Sequence, residues 1–199
     1  MPEVHIVGEI NGAELFGGGG GALPVLVDPV ASFLGMPFSR PAHSVRWHVS
    51  CEEEHWQLLD GATGGRTHES TGASALVFNH PMEVHYHCST LRSPPKMTFE
   101  VLETHGDGSE LSGVGFCHVP VTAGTHAVEV ALWRPYASAG ARLRAAFLGG
   151  YPQLKGGMNA AALCSSREKL ATETIGSLHI TLNIVSGGAF SFGDCGAKV

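Results

Sequence analysis

The chain has 199 residues, with 18 acidic against 12 basic side chains and a formal net charge of -6. That length suffices for one sizeable core and is short for two domains. The basic residues are scattered, with Arg142 and Arg144 the nearest approach to a cluster, which excludes the concentrated footprint of a nucleic-acid binder. Charged residues make up only 15% against 43% hydrophobic, leaving less charge than usual to cover a surface and suiting a domain partly covered by partners.

Glu3 to Ile10 alternates, with Val4 and Ile6 on one face and His5, Val7 and Glu9 on the other, the period of a strand. Residues 17–43 open on the glycine run Gly17 to Gly21 and continue through Pro24, Pro29, Pro37 and Pro41. Such a stretch is expected to be a flexible insertion without regular structure. No Lys-Ser/Thr follows the glycines, so the run is not a phosphate loop. In Ser44 to Cys51, Val45, Trp47 and Val49 alternate with polar residues and are expected to face the core.

Trp56-Gln-Leu-Leu runs into Asp60-Gly61 and Gly64-Gly65, a short segment ending in a glycine-rich turn. Three short strands follow over Ala75 to Phe78, Met82 to Cys88 and Met97 to Glu103, separated by Asn79-His80-Pro81 and Ser93-Pro94-Pro95. This close spacing predicts a sandwich. Leu111 to Val119 carries Gly113 and Gly115 inside a strand pattern, which marks a bulge or a close backbone approach. Thr125 to Leu132 is a further strand, closed by Trp133-Arg134-Pro135. Ser138 to Leu148, rich in Ala, Leu and Arg and ended by Gly149-Gly150, predicts one short late helix. Residues 155–174 read as a loop and Ser177 to Val185 as the last strand, with 186–199 a C-terminal tail. The sum is an all-β antiparallel sandwich of about eight strands in one domain over residues 1–185.

Cys51, Cys88, Cys117, Cys164 and Cys195 include no CxxC pair, and their odd number fits a reducing compartment better than a secreted disulfide framework. Met-Pro-Glu-Val-His lacks the basic start of a signal peptide. The longest apolar region, Ala22 to Met36, is interrupted by Pro24, Asp28 and Pro29, short of the ~20 residues a spanning helix needs. Neither lipid-anchor pattern is present: position two is not glycine, and Cys195 stands five residues from the end.

Chemistry-bearing patterns are sparse. His85 and His87 share a strand face at i, i+2, the start of a metal site, but a closed site needs a third and fourth ligand. Cys117 and His118 are adjacent on a strand and point to opposite faces, so they form no nucleophile pair. Glu52-Glu53-Glu54 reads as a solvated acidic run. Trp133 and Arg134, residue types enriched at interface hot spots, are the candidates for partner binding; packing of the indole within the sandwich is the competing reading. Leu26 and Phe33 in the apolar part of the insertion are the candidates for membrane contact, without a polybasic run to support them. No catalytic set, metal site or cofactor site is expected.

Several motifs fall in one order: Val4-His5-Ile6, Trp56-Gln-Leu-Leu, Gly65-Arg66-Thr67, His80-Pro81, Pro95-Lys96, Gly113-Val-Gly-Phe-Cys-His-Val-Pro120, Trp133-Arg134-Pro135 and Gly149-Gly-Tyr-Pro-Gln-Leu154. Together they resemble the B9-domain family from residue 3 to about 185, apart from the Gly/Pro-rich insertion and the tail. The resemblance implies a C2-like β-sandwich and a non-enzymatic scaffold subunit of the ciliary transition zone, near the basal body, cytoplasmic and associated with the cytoskeleton. It implies two sister B9-domain proteins and other transition-zone proteins as partners, and a role in ciliogenesis and the diffusion barrier at the cilium base. A calcium-independent lipid-binding module at the ciliary membrane is the alternative. Calcium is not expected, because Asp28, Asp60, Asp107 and Asp194 form no DxD pair of loop ligands.

Overall fold

The computed structural model describes residues 2–16, 41–72, 75–91, 93–105, 108–135 and 171–188. The expected late helix at 138–148, Leu26 and Phe33, most of the insertion and the last eleven tail residues, 189–199, lie outside them. The described residues form strands β1 (Glu3–Leu15), β2 (Ala42–Ser50), β3 (Trp56–Gly61), β4 (Gly64–Arg66), β5 (Ser70–Thr71), β6 (Ala75–Cys88), β7 (Lys96–His105), β8 (Gly108–His118), β9 (Gly124–Pro135) and β10 (Thr172–Gly187). There is no helix among them.

The strands make one antiparallel sheet in the order β3-β6-β1-β10-β9-β8-β7-β2-β4, with β5 also on β2. It curls so that its two halves face each other. The fold line is the β8/β9 junction, where the ladder narrows to the single pair Val114 and Trp133. One core lies between the halves, and it draws Ile6, Ile10, Phe78, Val84, Leu178, Ile180 and Leu182 from one half and Val45, Trp47, Phe99 and Val101 from the other. The alternation expected for β1 and β2 is what the structure shows: Val4, Ile6, Val45, Trp47 and Val49 are all buried.

Several expected boundaries are corrected. The two strands expected over 75–78 and 82–88 are one, β6, which runs through Asn79-His80-Pro81. A bulge makes this possible: Ile10 pairs with His80 but Gly12 with Val77, so β6 carries one more residue than β1 there. Asn79 takes a left-handed backbone at φ 42°, a conformation its short polar side chain tolerates. Pro81 is accommodated because β3 pairs β6 only over Val84 to Cys88, leaving the strand without a ladder partner on that side at Pro81.

Strand β9 does not close at Leu132 but continues through Trp133-Arg134-Pro135, and β10 starts at Thr172 to pair with it, taking in 172–174 from the expected loop. The same strand claims Ser186 and Gly187 from the expected tail. Ala42 and His43, placed at the end of the insertion, begin β2. The glycine-rich turn after β3 contains β4, whose Gly64 to Arg66 pair with His48 to Arg46. Three-residue and two-residue strands carry too few side chains to show a period.

Gly113 and Gly115 flank Val114 at the fold line, and the bulge or close approach expected of glycines inside a strand pattern is found there. Val101 pairs with Gly113 but Leu102 with Leu111, so Ser112 is an extra, bulged residue on β8. A side chain on Gly113 would run into Ile175 of β10.

Candidate functional site

The residues singled out by chemistry are placed by the sheet as follows. Trp133 is 1% exposed, its indole inside the molecule. Arg134, on the opposite side of β9, donates from Nε to Glu173 Oε1 at 2.7 Å, in an ion pair whose side chains are 20% and 18% exposed. The ladder explains the geometry, since Arg134 and Glu173 are directly opposed across β9 and β10. Opposite charges so placed support the pairing of the two strands. The indole is thus buried, and of the two residues Arg134 is the one that reaches the surface.

His85 and His87 lie on one face of β6, half-buried. The partner strand adds what the sequence concealed: His5 of β1 is directly opposite His85, with ring centroids 5.1 Å apart. Each imidazole meets a carboxylate, His5 with Glu83 at 2.7 Å and His85 with Glu3 at 3.4 Å. These are cross-strand polar pairs on the outer sheet face. Among the described residues no group of three or more His, Cys, Asp or Glu is arranged to hold a metal ion.

Cys51, Cys88 and Cys117 are free thiols. Burial pushes the Cys117 thiol from 9.0 up to about 12, the opposite of what a thiolate nucleophile needs. His118 instead sets its ring edge-on to Phe116, 6.3 Å between centroids. A pH dependence follows. In the unfolded chain a thiol ionises near its ordinary value, while folded Cys117 holds its proton to about 12. Between about pH 9 and 12 the unfolded state binds fewer protons, so stability falls as pH rises. Urea midpoints should therefore be lower at about pH 10 than at pH 8, and Cys117→Ala should reduce the difference.

A cleft of about 510 Å³ lies between the end of β2 and strand β3. Its lining includes Val49, Cys51, Glu53, Trp56, Leu58 and Tyr86. Burial raises the Cys51 thiol also. Trp56 packs its ring edge-on against Tyr86, 6.0 Å between centroids, and anchors the first residue of β3 in the core. The remaining five residues of β3 are exposed, Leu58 at 48% and Leu59 at 50% among them. Adjacent leucines on a strand point to opposite faces, but Leu59 is a bulge, unpaired between Leu58 opposite Tyr86 and Asp60 opposite His85. The Leu-Leu pair was the available signal in the sequence, and only the strand's place at the sheet edge shows that both leucines stay outside.

The described residues are all β, in one curled antiparallel sheet. The family model described as "Ciliary basal body-associated, B9 protein" matches residues 35–185. The chain belongs to this B9 family, which is not a known enzyme family. It is 30% identical over 188 residues to B9 domain-containing protein 2 of Bos taurus, covering 93% of this chain and 94% of the relative. The protein of the same name from Homo sapiens is 29% identical over 188 residues, with the same coverage. That from Drosophila melanogaster is 27% identical over 137 residues, 67% of this chain and 64% of the relative. Among solved structures, a C2 domain protein from Ramazzottius varieornatus overlays with a TM-score of 0.45 at 7% identity, covering 92% of this chain and 88% of that one. Another C2 domain overlays at 0.36 and 12% identity, covering 92% and 98%.

Proposed function

We propose that this chain is a non-enzymatic scaffold subunit of a transition-zone complex at the cilium base, assembled with two sister B9-domain proteins and other transition-zone proteins, and serving ciliogenesis and the diffusion barrier. The observation that carries the proposal is the B9 family match over residues 35–185, together with similarity to B9 domain-containing protein 2 along 93% of the chain. Two features of the site agree with it. His5 and His85 of the sheet face are each paired with a carboxylate, and Cys117 is held protonated. A surface with so few charged residues suits a subunit whose function is to be held among others. Arg134, at the surface beside Glu173, is the residue of its motif able to meet a partner.

The test is to tag the full chain in ciliated cells. A focus at the cilium base, with sister B9-domain proteins recovered in stoichiometric amounts on pull-down, is the expected result. Diffuse signal with no sister subunit recovered would overturn it.

A further inference from the structure

We propose that the outer edge of β3 and the cleft beside it form a docking site for an extended segment of another protein, alternately apolar and basic, that adds to the sheet as a further strand. The inference deepens the assembly reading and rests on it for the existence of a partner.

Strand β3 is the end of the sheet order, so among the described residues only β6 pairs with it. An edge strand presents unpaired main-chain groups to any extended peptide, and natural proteins guard such edges with charges, proline or a covering element. This edge is guarded only by Asp60 and the Leu59 bulge, carries no Lys, Arg or proline, and exposes Leu58 and Leu59 at its centre. The opposite edge contrasts with it: there β2 is overlaid by the short strands β4 and β5. Adding a strand to β3 would pair its main chain, cover the leucines and let an apolar side chain enter the cleft against Val49 and Leu58.

Charge selects the occupant. Glu52, Glu53 and Glu54 stand exposed immediately before β3, with Glu53 lining the cleft, and exposed Asp60 lies near its far end. Lys96, the one lysine among the described residues, lies opposite Ser50 and has its ammonium 4.2 Å from the centre of the Phe116 ring. An incoming strand with lysines or arginines on its polar face meets an acidic rim, whereas an acidic strand is repelled. The same acidic rim disfavours a second copy of β3, whose own flanks are acidic.

The full chain is titrated with a fluorescent peptide of about ten residues alternating valine and lysine, and with its valine–glutamate counterpart, and anisotropy is read at low and high salt. Saturable binding of the lysine peptide is expected, weakened by about tenfold or more in Leu58→Ser/Leu59→Ser, a loss of roughly 1.4 kcal/mol. Glu52→Gln/Glu53→Gln/Glu54→Gln should weaken it similarly and flatten its salt dependence. Bound peptide should also slow amide exchange at Gln57 to Asp60, a readout on wild-type protein that needs no variant to fold. No saturation, equal binding of both peptides, or unchanged affinity in the variants would overturn the proposal. So would strong protection of these amides in the free chain, which would mean that another part of the chain covers the edge. Self-association lost in the leucine variant would reassign the edge to a second copy. Recovery of sister subunits without peptide binding would remove this inference and leave the assembly reading standing.

Discussion

Trp133→Ala should destabilise the domain by about 3–5 kcal/mol, the cost of emptying a large buried site that its surroundings only partly refill. For a chain of this size that lowers the melting temperature by roughly 10 °C. The expectation rests on position as much as on volume. Trp133 is 1% exposed, and its residue forms the only ladder pair between β8 and β9, opposite Val114. The cavity would therefore open at the line where the sheet turns from one half of the molecule to the other. Trp133→Phe, which keeps an aromatic ring there, should recover most of the loss. Thermal unfolding followed by circular dichroism measures both. If Trp133→Ala melted like wild type but no longer recovered sister B9-domain proteins on pull-down, the indole would be an interface anchor rather than a packing residue.

Gly115→Val is expected to cost about 2–3 kcal/mol, in the range for overpacking a well-filled interior. A Cβ built on Gly115 lies 2.9 Å from Val130 Cγ1, 3.0 Å from the Ala131 carbonyl oxygen and 3.1 Å from Leu132 Cδ2. The Val130 methyl can swing away, but the Ala131 oxygen belongs to the backbone of β9 and cannot. A β-branched side chain adds two methyl groups in the same space, so Gly115→Ala should fall between wild type and Gly115→Val. Gly187→Ala is the control, because nothing lies within 4 Å of the added carbon. Urea unfolding of the three variants should rank them in that order. A Gly115→Val midpoint equal to wild type would show that β8 and β9 are not in contact there.

Both predictions turn on the fold line, and that line was half visible beforehand. Two glycines inside a strand pattern signalled a bulge or a close backbone approach at 113 and 115. What approaches could not be read, since β9 and β10 reach Gly113 and Gly115 only through the curl of the sheet. The strands themselves were legible where alternation lasted: Val4 and Ile6, Val45 to Val49, and Leu178 to Ile184 keep a period of two that binds one face to the core. Legibility failed where local chemistry suggested a break that pairing overrode. Asn79-His80-Pro81 has the composition of a turn, yet β1 holds it in register through a bulge.

The sequence by itself determined the all-β class, the core faces of the long strands and the B9 family, because these depend on periodicity and on motifs contiguous in the chain. The tertiary structure decided what depends on residues brought from far apart. It set His5 against His85 across 80 positions of sequence. It buried Trp133 and matched Arg134 to Glu173. It also left Leu58 and Leu59 on an open edge. The physical reason is that a strand's own residues specify which of its faces is apolar, while its neighbours and its place at the edge or the centre of the sheet are set by the whole chain's pairing.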